Sequence, residues 1–181
     1  MSWFQKLLSI FKDKQLRNKI LFVLAIFAIF RLCSNIPIPG VDLSKLKDFF
    51  AGSQFFGLMN LFVGGTMANF SIVMLGLGPY ITATIIIQLL TMIFPALEKM
   101  YKEEGEEGRR RINKWGRVLT VPLAALQGYS MIFLLQKQGA IGEMSSTLLL
   151  MSIITITAGA VFLMWLGELI SEFGVGNGIS L

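Results

Sequence analysis

From Phe49 to Leu97 the chain carries no charged side chain. A run of 49 uncharged residues rich in aliphatics suits lipid and is avoided by water-soluble domains. Within it stands Leu75-Gly76-Leu77-Gly78-Pro79-Tyr80-Ile81, where a Gly-x-Gly-Pro break at Gly76, Gly78 and Pro79 interrupts helix and frees backbone groups. At membrane depth such a break is tolerated only where surrounding protein or a water-filled path satisfies those groups. The expectation is an embedded protein with a route through it.

The rest of the chain agrees. Charged residues make up 15% of the sequence, against roughly 25% in ordinary soluble domains. A chain of 181 residues makes only a handful of spans, so a large pore has to be shared with other chains. There is no histidine, which removes the commonest general base and metal ligand. The single cysteine, Cys33, cannot form an intrachain disulfide. No metal or cofactor is expected.

Length forces a division of the uncharged run. As one helix it would reach ~73 Å, more than twice the ~30 Å hydrocarbon core. Charge decides how to divide it. Of the sixteen basic residues, twelve fall in two segments: Lys6 to Lys19, and Lys99 to Arg117. Basic segments collect on the cytoplasmic side, so the run should hold one full crossing plus a shorter element, leaving both segments on one face.

The expected organisation is therefore an all-α, polytopic helical bundle. Residues 1–19 form a cytoplasmic amphipathic N-terminus, with a short surface helix over 3–11. Residues 20–38 are the first span, with Arg31 snorkelling toward the outer interface, and 39–54 an external loop. Residues 55–70 are a re-entrant half-helix, bent by Gly64, Gly65 and Asn69, and 71–97 the second span. Residues 98–117 form a cytoplasmic basic loop, 118–135 the third span, 136–143 an external loop and 144–167 the fourth span. Residues 168–181 are a cytoplasmic segment leading toward a further span.

Little in the chain looks catalytic. The polar residues at membrane depth, among them Thr82, Gln88 and Gln127, are neither strong acids nor bases. Enzymes and proton-coupled transporters need ionisable groups there. Glu168 and Glu172 read as ordinary carboxylates at a helix end. Leu77 and Ile81, four apart, share a helix face beside the break. An aliphatic face there suits a hydrophobic constriction, which stops ions by dewetting and offers no sticky contacts to a passing chain.

Ser71 to Leu89, with Leu-Gly-Leu-Gly-Pro-Tyr-Ile-Thr-Ala-Thr at its centre, closely resembles a signature of the SecY family, the channel subunits of the Sec protein translocase. Phe162-Leu163-Met164-Trp165-Leu166-Gly167-Glu168, followed by Gly174 to Ser180, resembles a second. Arg31 with Ile36-Pro37-Ile38-Pro39-Gly40, and Lys102 to Arg110, resemble two more. The resemblance covers the whole chain but only the N-terminal part of the family, whose ten spans form two pseudo-symmetric halves. A fragment, a split subunit and an incompletely synthesised chain all fit that coverage.

By resemblance, Leu77 and Ile81 belong to the hydrophobic pore ring. Phe55, Phe56, Leu58, Met59, Asn60, Leu61, Phe62, Gly64, Gly65 and Asn69 belong to the plug. Thr82, Ile85 and Gln127 belong to one jaw of the lateral gate, through which apolar segments leave for lipid. Leu77 stands where isoleucine is commoner. Asn69 stands where many bacterial relatives have arginine.

The resemblance implies passive conduction of unfolded secretory chains, with no enzymatic activity. It implies SecE and SecG as companion subunits, and a ribosome or the SecA motor as the driving partner. It implies a bacterial plasma membrane with the N-terminus in the cytoplasm, and no direct nucleic-acid binding. The alternative is a small-molecule transporter subunit, since broken helices also build substrate sites. A membrane enzyme is the third reading.

Overall fold

The computed structural model describes residues 13–180, with Phe62 described by its backbone alone. The helix expected over 3–11 lies outside the described residues. Seven helices follow: α1 (Lys14–Cys33), α2 (Leu43–Gly52), α3 (Gln54–Phe62), α4 (Gly78–Ile93), α5 (Pro95–Glu103), α6 (Gly105–Lys137) and α7 (Ser146–Phe173).

Local chemistry sets the helix ends. Asp13, Asp42 and Ser145 cap α1, α2 and α7 by accepting hydrogen bonds from backbone N–H groups of the first turn. Arg31 lies in the last turn of α1, where a cation complements the helix dipole. Helix α3 stops at Phe62, and Gly64 and Gly65 both take positive φ, +73° and +80°. Pro95 forces Phe94 into extended backbone. There α4 gives way to α5 at a bend of 102°.

Several boundaries differ from the sequence expectation. The stretch 39–54 is not wholly loop, because α2 occupies most of it. Leu46 and Phe50, four apart, turn one face of α2 into the core. Residues 71–97 are not one helix: 71–77 run in turns, α4 starts only at Gly78, and the chain bends at Phe94. The basic segment 98–117 is largely helical, split between α5 and the start of α6. Helix α7 continues past Gly167 to Phe173.

Helices α6 and α7 are each long and apolar enough to cross a membrane, and the bent pair α4–α5 adds a third candidate. Helix α1 is not among them. Lys14, Arg17, Lys19 and Arg31 leave it an uncharged core of only Ile20–Phe30.

Packing follows small residues. On α6 the positions Gly108, Ile112, Gly116, Thr120, Ala124, Gly128 and Ile132, spaced by four, are all buried. A row of small side chains lets neighbouring backbones approach closely. Gly108 approaches Met100 of α5 and Gly128 approaches Ile156 of α7, while α4 also packs along α6. One core joins α2, the turns after α3 and the end of α6 through Leu46, Phe50, Phe70, Met74, Ile132 and Leu135. A second joins α1 to α7 through Val23, Ile26, Val73, Leu163 and Ile170.

Candidate functional site: a buried break at the head of α4

The non-helical stretch 66–77 carries the site. Its backbone is wrapped in protein, with Phe70, Ser71 and Met74 fully buried and Val73 1% exposed. Its polar groups find partners. Ile38 N–H donates to the Phe70 carbonyl at 3.0 Å and Ile72 N–H to the Ile36 carbonyl at 3.1 Å. Pro37 lies between the two bonds, where its missing N–H costs nothing. Ser71 donates its hydroxyl to the Cys33 carbonyl at 2.9 Å. These bonds satisfy much of the irregular backbone within the protein, as an apolar surrounding favours. Phe70 takes φ +43°, a strained value for a residue with a side chain, and full burial holds it there.

Gly76, at φ +58°, turns the chain into α4. Pro79 sits in the first turn of α4, where a missing N–H is harmless, and is buried. It starts a helix rather than kinking one. Leu77 is the capping residue, and Ile81 N–H donates to its carbonyl at 3.0 Å. The two aliphatic side chains thus begin one helix face. Ile81, Ile85, Leu89 and Met92 continue it, all exposed. Leu77 itself is half-buried and packs against the α1–α7 core.

The end of the short α3 comes to the break, and the Val63 side chain lies beside Gly76. Arg31, expected to snorkel, instead donates from Nη1 to the Gly64 carbonyl at 3.2 Å, tying the turn after α3 to α1. Asn60 accepts from the Ala68 N–H at 3.0 Å and closes the turn; Asn69 does not make this bond. Phe55, Leu58 and Leu61 are exposed along one side of α3, while Phe56 and Met59 pack toward the core. A cleft of about 920 Å³ opens between α1, the break and α7, lined by Phe30, Arg31, Val63, Leu77, Leu166 and Gly178 among others.

Gln127 reaches the head of α4 from α6. Its Nε2 donates to the Thr82 hydroxyl at 3.5 Å, and Thr82 donates to the Gly78 carbonyl at 2.9 Å. The structure thus brings Thr82 and Gln127 together, with Ile85 exposed one turn further along α4.

From the sequence Glu168 of α7 is an ordinary helix-end carboxylate; in the structure it accepts on one oxygen from Arg117 Nε at 2.6 Å and from the Tyr80 hydroxyl at 3.3 Å. Its side chain is 22% exposed and that of Arg117 51%, so the carboxylate is partly withdrawn from water while the guanidinium stays half in it. The arginine at the end of the basic segment and the acid at the end of an apolar one were the available signals. Nothing in their spacing joined them.

The arrangement defines an all-α, polytopic protein with buried irregular backbone leading into α4 and a short helix ending beside it. The family model that matches is SecY, over residues 71–181, and the chain belongs to the SecY family. It is 43% identical over 178 residues to the protein translocase subunit SecY of Borreliella burgdorferi, covering 96% of this chain and 41% of that one. Against the Thermus thermophilus subunit it is 43% identical, covering 92% and 40%. The chain thus spans about two fifths of the length of the curated relatives it matches. These relatives are bacterial, and the chain is a bacterial membrane protein.

The fold matches canine Sec61 in a ribosome–channel complex from the endoplasmic reticulum, at TM-score 0.62 and 21% identity, over 90% of this chain and 34% of that one. It also matches a SecY whose plug domain stabilises the closed translocation channel, at TM-score 0.60 and 24% identity, over 90% and 33%.

Proposed function

We propose that this chain is the N-terminal part of the conducting subunit of a bacterial protein translocase. Unfolded secretory chains pass its constriction, and apolar segments leave sideways into lipid. The observation that carries this reading is the pairing of Leu77 and Ile81 on one face at the head of α4, beside the end of α3. Aliphatic side chains at a narrowing exclude hydrated ions and bind a moving chain weakly. Membership of the SecY family supports it.

In this reading α3 and its turn, from Phe55 to Asn69, form the plug. Thr82, Ile85 and Gln127 form one jaw of a lateral gate. Within the jaw, α4 and α6 pack together, and the Gln127–Thr82 bond joins them at the head of α4. The protein acts as a conduit and not as an enzyme, with the driving force supplied by a ribosome or by SecA. SecE and SecG are the companion subunits. The subunit lies in the plasma membrane with the N-terminus and the 98–117 segment in the cytoplasm, as the basic residues favour.

The test places single cysteines at Leu77 and Ile81 in a full-length channel and stalls a secretory chain within it. Crosslinks at both positions are expected. Their absence, while lipid-facing control positions react, would remove the constriction from the path.

A further inference from the structure

The Tyr80–Glu168–Arg117 cluster joins three helices at one carboxylate. Tyr80 lies in the first turn of α4, three residues from Leu77 and one from Ile81. Arg117 belongs to α6 and Glu168 to α7. Glu168 accepts from both, at 2.6 Å from Arg117 and 3.3 Å from Tyr80.

The head of α4 needs such an anchor. The chain before it is a turn through Gly76 at φ +58°, and the far end of α4 bends by 102° at Phe94. Neither neighbour continues the helix axis, so the setting of α4 depends on its contacts with α6 and α7. It lies chiefly along α6 and touches α7 only briefly. Among the described residues the Tyr80–Glu168 bond is the polar link between α4 and α7 at this level. Arg117 fixes the carboxylate that receives it, and a charge-assisted bond partly withdrawn from water is stronger than a neutral one.

We propose that Glu168 is a positioning residue for the constriction: clamped by Arg117, it holds the Tyr80 hydroxyl, and so the Leu77–Ile81 face, in the sealed position. Opening must break or stretch the Tyr80–Glu168 contact. This rests on the conduit reading above.

The experiment uses the full-length channel reconstituted in bilayers, with the resting ion leak as readout. A merely structural defect lowers the amount of folded channel without raising the leak per channel. Wild type, Glu168→Ala, Tyr80→Phe and Arg117→Glu are compared. The Tyr80–Glu168 contact is long for an O–H···O bond, so losing it shifts a closed–open equilibrium by several-fold. The leak per channel is expected to rise about that much in E168A and Y80F, which lose the contact outright, and less in R117E, which only frees the carboxylate.

Wild-type leak in a folded E168A channel overturns the proposal. If E168A does not accumulate in the membrane, Y80F decides, since it removes one oxygen and leaves the ion pair; unchanged leak there overturns the proposal. Wild-type channels that crosslink no secretory chain at Leu77 or Ile81 would instead refute the conduit reading, which separates the two failures.

Discussion

Gly159 on α7 is set so close to the turn before α4 that a Cβ there would run into the Ile72 carbonyl. The neighbour is backbone rather than a flexible side chain, so it cannot yield cheaply. Gly159→Val is expected to lower stability by roughly 1–3 kcal/mol through overpacking. The check is the thermal unfolding midpoint in detergent, and an unchanged midpoint would refute the close approach. Asp42 gives a pH test at the same scale. Its carboxylate accepts from the Ser44 hydroxyl and backbone N–H, which holds its pKa below the usual 3.8. The folded value lies below the unfolded one, so the cap stabilises α2 fully above about pH 4 and fades as pH falls through the lowered value. Amide-exchange protection of α2 should therefore drop in acid, and Asp42→Asn should flatten that drop. Equal acid loss in both proteins would count against the cap. Single residues were partly readable in advance. The shared helix face of Leu77 and Ile81 followed from their spacing, whereas the contact of Glu168 with Tyr80 joins residues 88 positions apart in the chain.

At the scale of elements, the start of the turn after α3 is tied to α1 by a side chain, Arg31 donating to the Gly64 carbonyl, while Ile38 N–H holds its far end at Phe70. Arg31→Ala removes the side-chain tie while leaving the α1–α7 core intact. Amides from Val63 to Phe70 are expected to exchange several-fold faster in that variant, since local opening loses a charged hydrogen bond. Protection equal to wild type would assign the hold on this turn to packing and the Ile38 bond. The sequence announced the stop of α3 through Gly64-Gly65, because two glycines relax the chain where left-handed backbone is needed. It hid the bend at Phe94, since Pro95 lies inside an uncharged run that reads as one crossing. It hid α2 as well, because polar residues between its apolar positions resembled a loop.

At the scale of the molecule, the basic residues predict that Lys45 and Arg110 lie on opposite sides of the membrane. In a Cys33→Ser background, Lys45→Cys should react with an impermeant thiol reagent from outside, and Arg110→Cys only once the inner face is opened. Labelling of both from the same side would overturn the topology and the conduit reading with it. The sequence alone determined the solvent and the class. Long uncharged runs demand lipid or burial, clustered basic residues set a side, and a glycine–proline break within an apolar run requires a protein-lined path. Those are local properties of composition and order, and they survive any particular packing. Only the tertiary structure decided which groups satisfy the broken backbone and which carboxylate holds the head of α4. Those partnerships join residues far apart in the chain, through distances of about 3 Å that no periodicity encodes.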